Sequence, residues 1–247
     1  MPVNIYGSES DVYTVGSQQL HTVGQRMMTP DGSVFRYGEM GATVGVANKL
    51  YQSSAVVAHW LTQALATAMA VGDATITQKD GGTAFVVDQM ARNTILVEET
   101  ADLGHIYRVK SNAATATNET VCTLENGVTV KVAVAVAAGN VTSALLNPWK
   151  DVIIQPATTL TGMIIGVPRV IIAINGYGWI QTRGPASCLI DASTAILTGN
   201  AVRASEVTAG AVALRDETAA YIDWADAGYC METAPDADFG HVFLTIE

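Results

Sequence analysis

This chain carries little charge. Only 15% of its 247 residues are Asp, Glu, Lys or Arg, and the 13 cationic side chains are outnumbered by 23 acidic ones, for a formal net charge of −10. No run of Lys or Arg longer than a single residue occurs, so direct contact with a packaged nucleic acid, which needs a cationic surface, is not expected. The three cysteines, Cys122, Cys188 and Cys230, are odd in number and far apart, which excludes a disulfide framework and a metal-ligand spacing. Buried free thiols are the expected reading. No basic segment followed by an apolar one opens the chain, so no secretory signal is expected, and the sequons at Asn118 and Asn140 carry little meaning. The longest apolar candidate for a membrane span, Ala55 to Val71, is barely long enough and contains His59, Thr62, Gln63 and Thr67. No membrane partner is expected.

Chemistry-bearing motifs are equally scarce. His21, His59, His105 and His241 lie in separate segments without zinc-ligand spacing, so no metal is expected. No nucleophile elbow, phosphate-binding loop or dinucleotide fingerprint is present, and no cofactor is expected. Gly176-Tyr177-Gly178 matches part of a glycine-rich loop but lacks the third glycine and the following helix. The carboxylates Asp223, Asp226, Glu232, Asp236 and Asp238 admit two readings, a cation site at Asp236-Ala237-Asp238 and a solvated acidic loop. The second is preferred because the calcium-loop pattern breaks after Gly240. The chain is read as a non-enzyme.

What is present is a large apolar fraction, 49%, rich in Val, Ala and Thr and punctuated by 22 Gly, which points to an ordered all-β protein. Three regions differ in texture. Residues 1–52 are Gly-rich and irregular around a Pro30-Asp31-Gly32 turn, with too few apolar side chains for a core of their own. They are expected to form an extended N-terminal arm lying along the rest of the chain or a partner. Residues 53–165 open with Val57, Trp60, Leu61, Ala64, Leu65, Ala68 and Met69 at helical spacing, which predicts one connecting helix ending near Gly72. Trp60 is read there as a packing anchor. A β region follows, with a hairpin predicted around Lys79-Asp80-Gly81-Gly82 and strands over Thr94–Glu98, Ile106–Lys110, Glu119–Leu124 and Val128–Val136. Residues 166–247 form a C-terminal β region containing Val170–Ile174, the Tyr177 and Trp179 strand and a closing strand over Val242–Ile246. The second and third regions are compatible with a single domain.

The order from Gly176 to Ala186 (an aromatic strand and a Gly184-Pro185 turn), then Gly-punctuated strands at Leu197–Val202 and Thr208–Ala213 and the terminal strand, resembles tailed-bacteriophage virion proteins of the capsid decoration, or cement, type. Asp31-Gly32-x-x-Phe35-Arg36-Tyr37-Gly38, followed by Gly45-Val46-Ala47-Asn48-Lys49-Leu50, resembles the N-terminal segment of phage structural proteins. The resemblance implies a jelly-roll or barrel-like body. It also implies a homotrimer on the capsid exterior whose partners are the major capsid protein and its own copies. On that view Phe35, Tyr37, Tyr177 and Trp179 are candidate packing or interface anchors, with the core as the expected place of Trp179. Arg36 and Arg183 are candidates to pair with a partner's carboxylates, the alternative being solvated arginines. A tail- or fibre-associated receptor-binding protein, with an aromatic and polar cleft for sugar, is the second reading.

Overall fold

The computed structural model describes residues 5–99, 103–215 and 224–247. Among them the regular structure is β throughout, interrupted by two three-residue 3-10 turns, and the sheets are barrel-like. The chain divides into two compact units, Met1–Ala55 with Pro148–Glu247, and Val56–Asn147. The second is thus an insertion in the sequence of the first, a division that single-chain periodicity does not reveal.

The first unit is organised by one 15-residue strand, Tyr177–Asp191. Its first part pairs antiparallel with Val34–Glu39, placing Trp179 opposite Tyr37 and Gln181 opposite Phe35. Its second part pairs antiparallel with Phe239–Thr245, and its end pairs parallel with Val212–Leu214 through Ile190 and Val212. Ala201–Ala204 joins Val212–Leu214 to Asp226–Cys230, which returns to Phe239–Thr245. These five strands therefore close into a ring. Its core combines small side chains, Ala186, Cys188, Val202, Ala204, Val212, Ala227, Cys230 and Val242, with the larger Ile190, Ile196 and Leu244. Much of the Ala and Val of the chain is used in this packing. Burial raises the thiol pKa of both cysteines, that of Cys188 to about 12.

Gly184 is where the long strand changes partner. Its φ is +95°, and a Cβ there would lie 2.5 Å from Ser33 Oγ and 3.1 Å from Ser33 Cα. The pairing with Val34–Glu39 shifts register at Gln181 and Arg183, so Gly184-Pro185 is a bend inside a continuous strand, not the turn between strands that the dipeptide suggests. Pro185 has no N–H to donate, yet its carbonyl accepts from Gln181 Nε2 at 2.9 Å.

The segment expected as an extended arm lies along its own chain. Ile5–Tyr6, Arg26–Met28 and Val34–Glu39 extend the sheet, and Tyr51–Gln52 pairs with Ile153–Ile154 and Ile164–Pro168. Its few apolar side chains find a core by joining Trp179 in a cluster of Val12, Met27, Phe35 and Tyr37.

The second unit is an antiparallel sheet of six strands: Gln63–Ala64, Val141–Leu145, Thr94–Glu99, Leu103–Asn112, Glu119–Leu124 and Thr75–Lys79. A bridge between Leu65 and Gln78 joins the first of these to the last, so this sheet also closes on itself. Inside, Trp60 stacks on Phe85 at 4.4 Å between ring centroids, among Met69, Ile76, Ile95, Val109 and Leu124. Trp60 Nε1 donates to Thr83 O at 2.8 Å, so the indole packs as a core anchor, as its spacing suggests.

The connecting helix does not form. Residues 53–71 hold a 3-10 turn at Ala58–Trp60 and the short strand Gln63–Ala64, and the backbone bonds expected within a helix go to neighbours instead. Met69 N–H donates to Val134 O at 2.9 Å and Trp60 O accepts from Gln78 Nε2 at 3.0 Å. Val56, Val57, Thr62, Thr67 and Val71 are β-branched and stiff in a helix, and no ion pair supports one, so tertiary pairing overrides the 3.6-residue period. Gly72, expected as the helix cap, sits at φ +99° in a loop. The hairpin around Gly81 is likewise replaced: Thr75–Lys79 pairs with Glu119–Leu124. Val128–Val136 is not a strand, but its Val130 and Val134 still enter the core.

Candidate functional site

The residues singled out in the sequence separate into two places. Phe35, Tyr37 and Trp179 are buried, and with the half-buried Tyr177 they form one aromatic cluster. Tyr37 stacks on Tyr177 at 6.0 Å and meets Trp179 edge-on at 5.1 Å, while His21 lies 5.1 Å from both Tyr37 and Trp179. Phe35, Tyr37 and Trp179 are enclosed and hold the sheet together, while Tyr177 is half-buried at the edge of the cluster. Arg183 is exposed on the long strand, opposite Thr245.

Arg36 does find a carboxylate, but one on its own chain. The hairpin around Pro30-Asp31-Gly32 sets Arg26 directly opposite Arg36. Two like charges at such a site repel unless an anion joins them. Glu247 supplies it: Arg36 Nε donates to Oε2 at 2.9 Å, Arg36 Nη2 to Oε1 at 2.5 Å, and Arg26 Nε to Oε1 at 3.0 Å. Thr182 Oγ1 adds a bond to Oε2 at 3.3 Å, and Arg36 Nη1 donates to Gly24 O at 2.9 Å. Burial pushes the Glu247 carboxyl pKa up, but the Arg36 bonds and charge, with those of Arg26, outweigh it and hold it below the usual carboxylate range. Arg36 stood out in the sequence; Arg26 opposite it and the anion that joins them, 211 residues from Arg36, did not.

This cluster forms one wall of an open cleft of about 430 Å³, whose other lining includes Trp149, Met163, Asp226 and Ile246. The Arg36 guanidinium lies 5.9 Å from the Trp149 ring centroid. Asp226 pairs with Arg215 at 3.3 Å. Both carboxylates of the cleft thus have cationic partners, and Glu247 is held ionised, which suits hydrogen bonding better than proton donation near neutral pH.

A second polar centre is buried in the first unit. Ser205 Oγ donates to Asp191 Oδ2 at 2.5 Å and accepts Val207 N–H at 3.0 Å and Thr208 N–H at 2.9 Å. Gln155 Nε2 donates to Ser205 O at 2.8 Å, and Gln155 Oε1 accepts Gly210 N–H at 3.1 Å. Burial raises the Asp191 pKa, and the bonds from Ser205 and Ser193 with the charge of Arg203 reverse that, leaving it lowered. Arg203, itself buried, reaches Glu206 and the Ala204 carbonyl. The Ser205 hydroxyl faces a carboxylate and two N–H donors, without the imidazole that activates a nucleophilic serine. Its role is to clamp the 205–211 loop.

The remaining acidic and histidine side chains are dispersed. Asp236 Oδ1 accepts Ala192 N–H at 2.9 Å, Asp238 Oδ1 accepts Phe239 N–H at 2.8 Å, and Glu232 pairs with His241 at 2.5 Å. Asp223 lies outside the described residues. Among the described residues no group of three or more His, Cys, Asp or Glu side chains is placed to hold a metal ion. His59 Nδ1 sits 2.7 Å from Thr83 Oγ1, and His105 lies 6.3 Å from the Tyr107 ring. No described helix is long and apolar enough to cross a membrane.

No protein-family model, curated protein or solved structure matches this chain.

Proposed function

We propose that the protein is a bacteriophage capsid decoration (cement) protein. It binds the outer capsid lattice as a homotrimer and bridges major capsid subunits, without enzymatic activity and without touching nucleic acid. The observation that carries this reading is that each unit is a closed ring of strands with its own core, yet leaves large apolar side chains in solvent. Leu20, Ile171 and Leu197 do so in one unit, and Val86, Val87 and Ile106 in the other. Ile106 stands directly across from the half-buried Leu96 on the outer face of the second barrel, so two apolar side chains adjoin there. Large apolar side chains left in solvent are what an interface buries. Many weak contacts of this kind, multiplied over an oligomer, hold a lattice firmly. The low charge of the chain accords with a life spent against neighbouring subunits.

The test is to add the purified chain to expanded heads that lack it. Retention on the heads, cryo-electron microscopy density bridging capsid subunits, and a higher temperature of head rupture are expected. Failure to be retained, or density confined to the tail of particles carrying the chain, overturns the reading.

One observation favours the second reading, a tail- or fibre-associated receptor-binding protein. The cleft beside Trp149 combines an aromatic ring with Arg36, Asp226 and Glu247, the mixture of apolar and polar groups that sugars require. Tail density together with loss of cell adsorption on Trp149→Ala would establish that reading in place of the first.

A further inference from the structure

We propose that Asn126-Gly127 is a site of spontaneous modification, at which the asparagine loses ammonia through a cyclic imide with the assistance of Lys110. The chain holds two Asn-Gly pairs, and the fold treats them oppositely. Asn126 and Gly127 are the exposed middle residues of a turn closed by Val128 N–H donating to Glu125 O at 2.9 Å. Gly127 has φ +77°, a Cβ there would meet nothing within 4 Å, and no described residue accepts its N–H. The nitrogen that attacks is therefore in solvent with no side chain over it, and a glycine turn lets the dihedrals around it rotate. Asn175-Gly176 lacks that freedom. Gly176 is buried, its N–H donates to Ala173 O at 2.9 Å, its carbonyl accepts Met40 N–H at 2.8 Å, and Asn175 N–H donates to Gly41 O at 3.2 Å.

Lys110 supplies the second half of the site. It stands near the end of the Leu103–Asn112 strand, and its Nζ donates to Asn126 Oδ1 at 3.1 Å. An ammonium on that oxygen draws electrons from Cγ and stabilises the negative charge that gathers on Oδ1 when Cγ is attacked. The step balances without oxidant or cofactor. Gly127 N gives up its proton to solvent base and bonds to Asn126 Cγ; the bond from Cγ to the side-chain nitrogen breaks, and that nitrogen leaves as ammonia with a proton from solvent. Water then opens the imide ring. Opening at Cγ leaves aspartate, and opening at the main-chain carbonyl leaves isoaspartate, with an extra carbon in the backbone. Either product adds a negative charge close to the Lys110 ammonium. Isoaspartate also lengthens the turn between Leu124 and Val128, both packed on the core of the inserted unit.

The experiment is incubation of the purified full chain in mildly alkaline buffer, sampled over weeks by tryptic digestion and electron-transfer tandem mass spectrometry, which separates aspartate from isoaspartate. Asn126 is read in peptide 111–131, or 109–131 in Lys110→Gln, and Asn175 in peptide 170–183. A synthetic peptide of residues 123–130 supplies the rate of an unstructured Asn-Gly pair. Asn126 is expected to convert to a mixture of aspartate and isoaspartate while Asn175 persists. Lys110→Gln is expected to slow the conversion about three- to tenfold, less than a buried oxyanion donor contributes because this contact is exposed and screened. Lys110→Arg, which keeps a cation at the same place, should retain the wild-type rate, and circular dichroism with thermal melting confirms the fold of both variants. Asn126 left intact over a time that converts the peptide, Asn175 converting as fast as Asn126, or aspartate formed without isoaspartate each overturns the proposal. An unchanged rate in folded Lys110→Gln overturns the part assigned to Lys110.

Discussion

Arg36 holds Glu247 by two parallel donors, Nε to Oε2 at 2.9 Å and Nη2 to Oε1 at 2.5 Å, tying Val34–Glu39 to the residues that follow Phe239–Thr245. Removing that carboxylate leaves Arg26 and Arg36 facing each other across the hairpin. Glu247→Gln should lower stability by about 1 kcal/mol, the modest figure appropriate to a partly exposed pair. The sign of its pH dependence is fixed by the direction of the shift. The folded carboxyl titrates below its unfolded value of about 4.3, so its contribution is fully present above that value and is lost as pH falls through the folded pKa. Urea unfolding from pH 7 down to pH 3 should therefore show a steeper acid loss for the wild type than for Glu247→Gln, the two converging at the acid end.

Gly184 tests whether the change of partner along the long strand requires glycine. Gly184→Ala combines a left-handed backbone with a Cβ 2.5 Å from Ser33 Oγ and should cost about 3 kcal/mol or more. Gly199 has a similar φ of +89° but open space around it, so Gly199→Ala should cost only about 1 kcal/mol. Equal losses in parallel melts would remove the steric part of the argument.

Ser205 is buried with its hydroxyl fully engaged, and Ser205→Ala strands the Asp191 carboxylate and two backbone N–H groups together. A loss of about 2–4 kcal/mol is expected. Hydrogen exchange should locate its origin, with the amides of Val207 and Thr208 losing protection ahead of those in the Phe239–Thr245 strand.

Features with a short sequence range were readable and those with a long one were not. Glu119–Leu124 was found to the residue because alternation, turn residues and β-branching agree there. Residues 53–71 misled because apolar spacing of three and four also arises when Trp60, Leu65 and Met69 reach one core from an irregular path. The aromatic cluster was half visible: Phe35, Tyr37, Tyr177 and Trp179 stood out by type, but their meeting depends on a register between strands some 140 residues apart. The Arg36–Glu247 contact and the Asp191–Ser205–Gln155 clamp are products of topology, and no local signal marks Gln155 or Glu247. That Val56–Asn147 interrupts a unit which resumes at Pro148 is likewise a product of topology.

Trp60 offers the sharpest test of that inserted unit. It is the sole tryptophan between Val56 and Asn147, the others being Trp149, Trp179 and Trp224, and it sits fully enclosed against Phe85. Trp60→Phe retains an aromatic partner for Phe85 but deletes the indole N–H that donates to Thr83 O. Trp60→Ala also opens a cavity and should cost about 3–5 kcal/mol, against about 1–2 kcal/mol for Trp60→Phe. Because Val56–Asn147 has a core of its own, the loss should be confined to it. Denaturant unfolding of Trp60→Ala, followed by the fluorescence of the remaining tryptophans, should keep the wild-type midpoint while circular dichroism shows an earlier step. A single transition shifted equally by both probes would mean that the two units unfold as one.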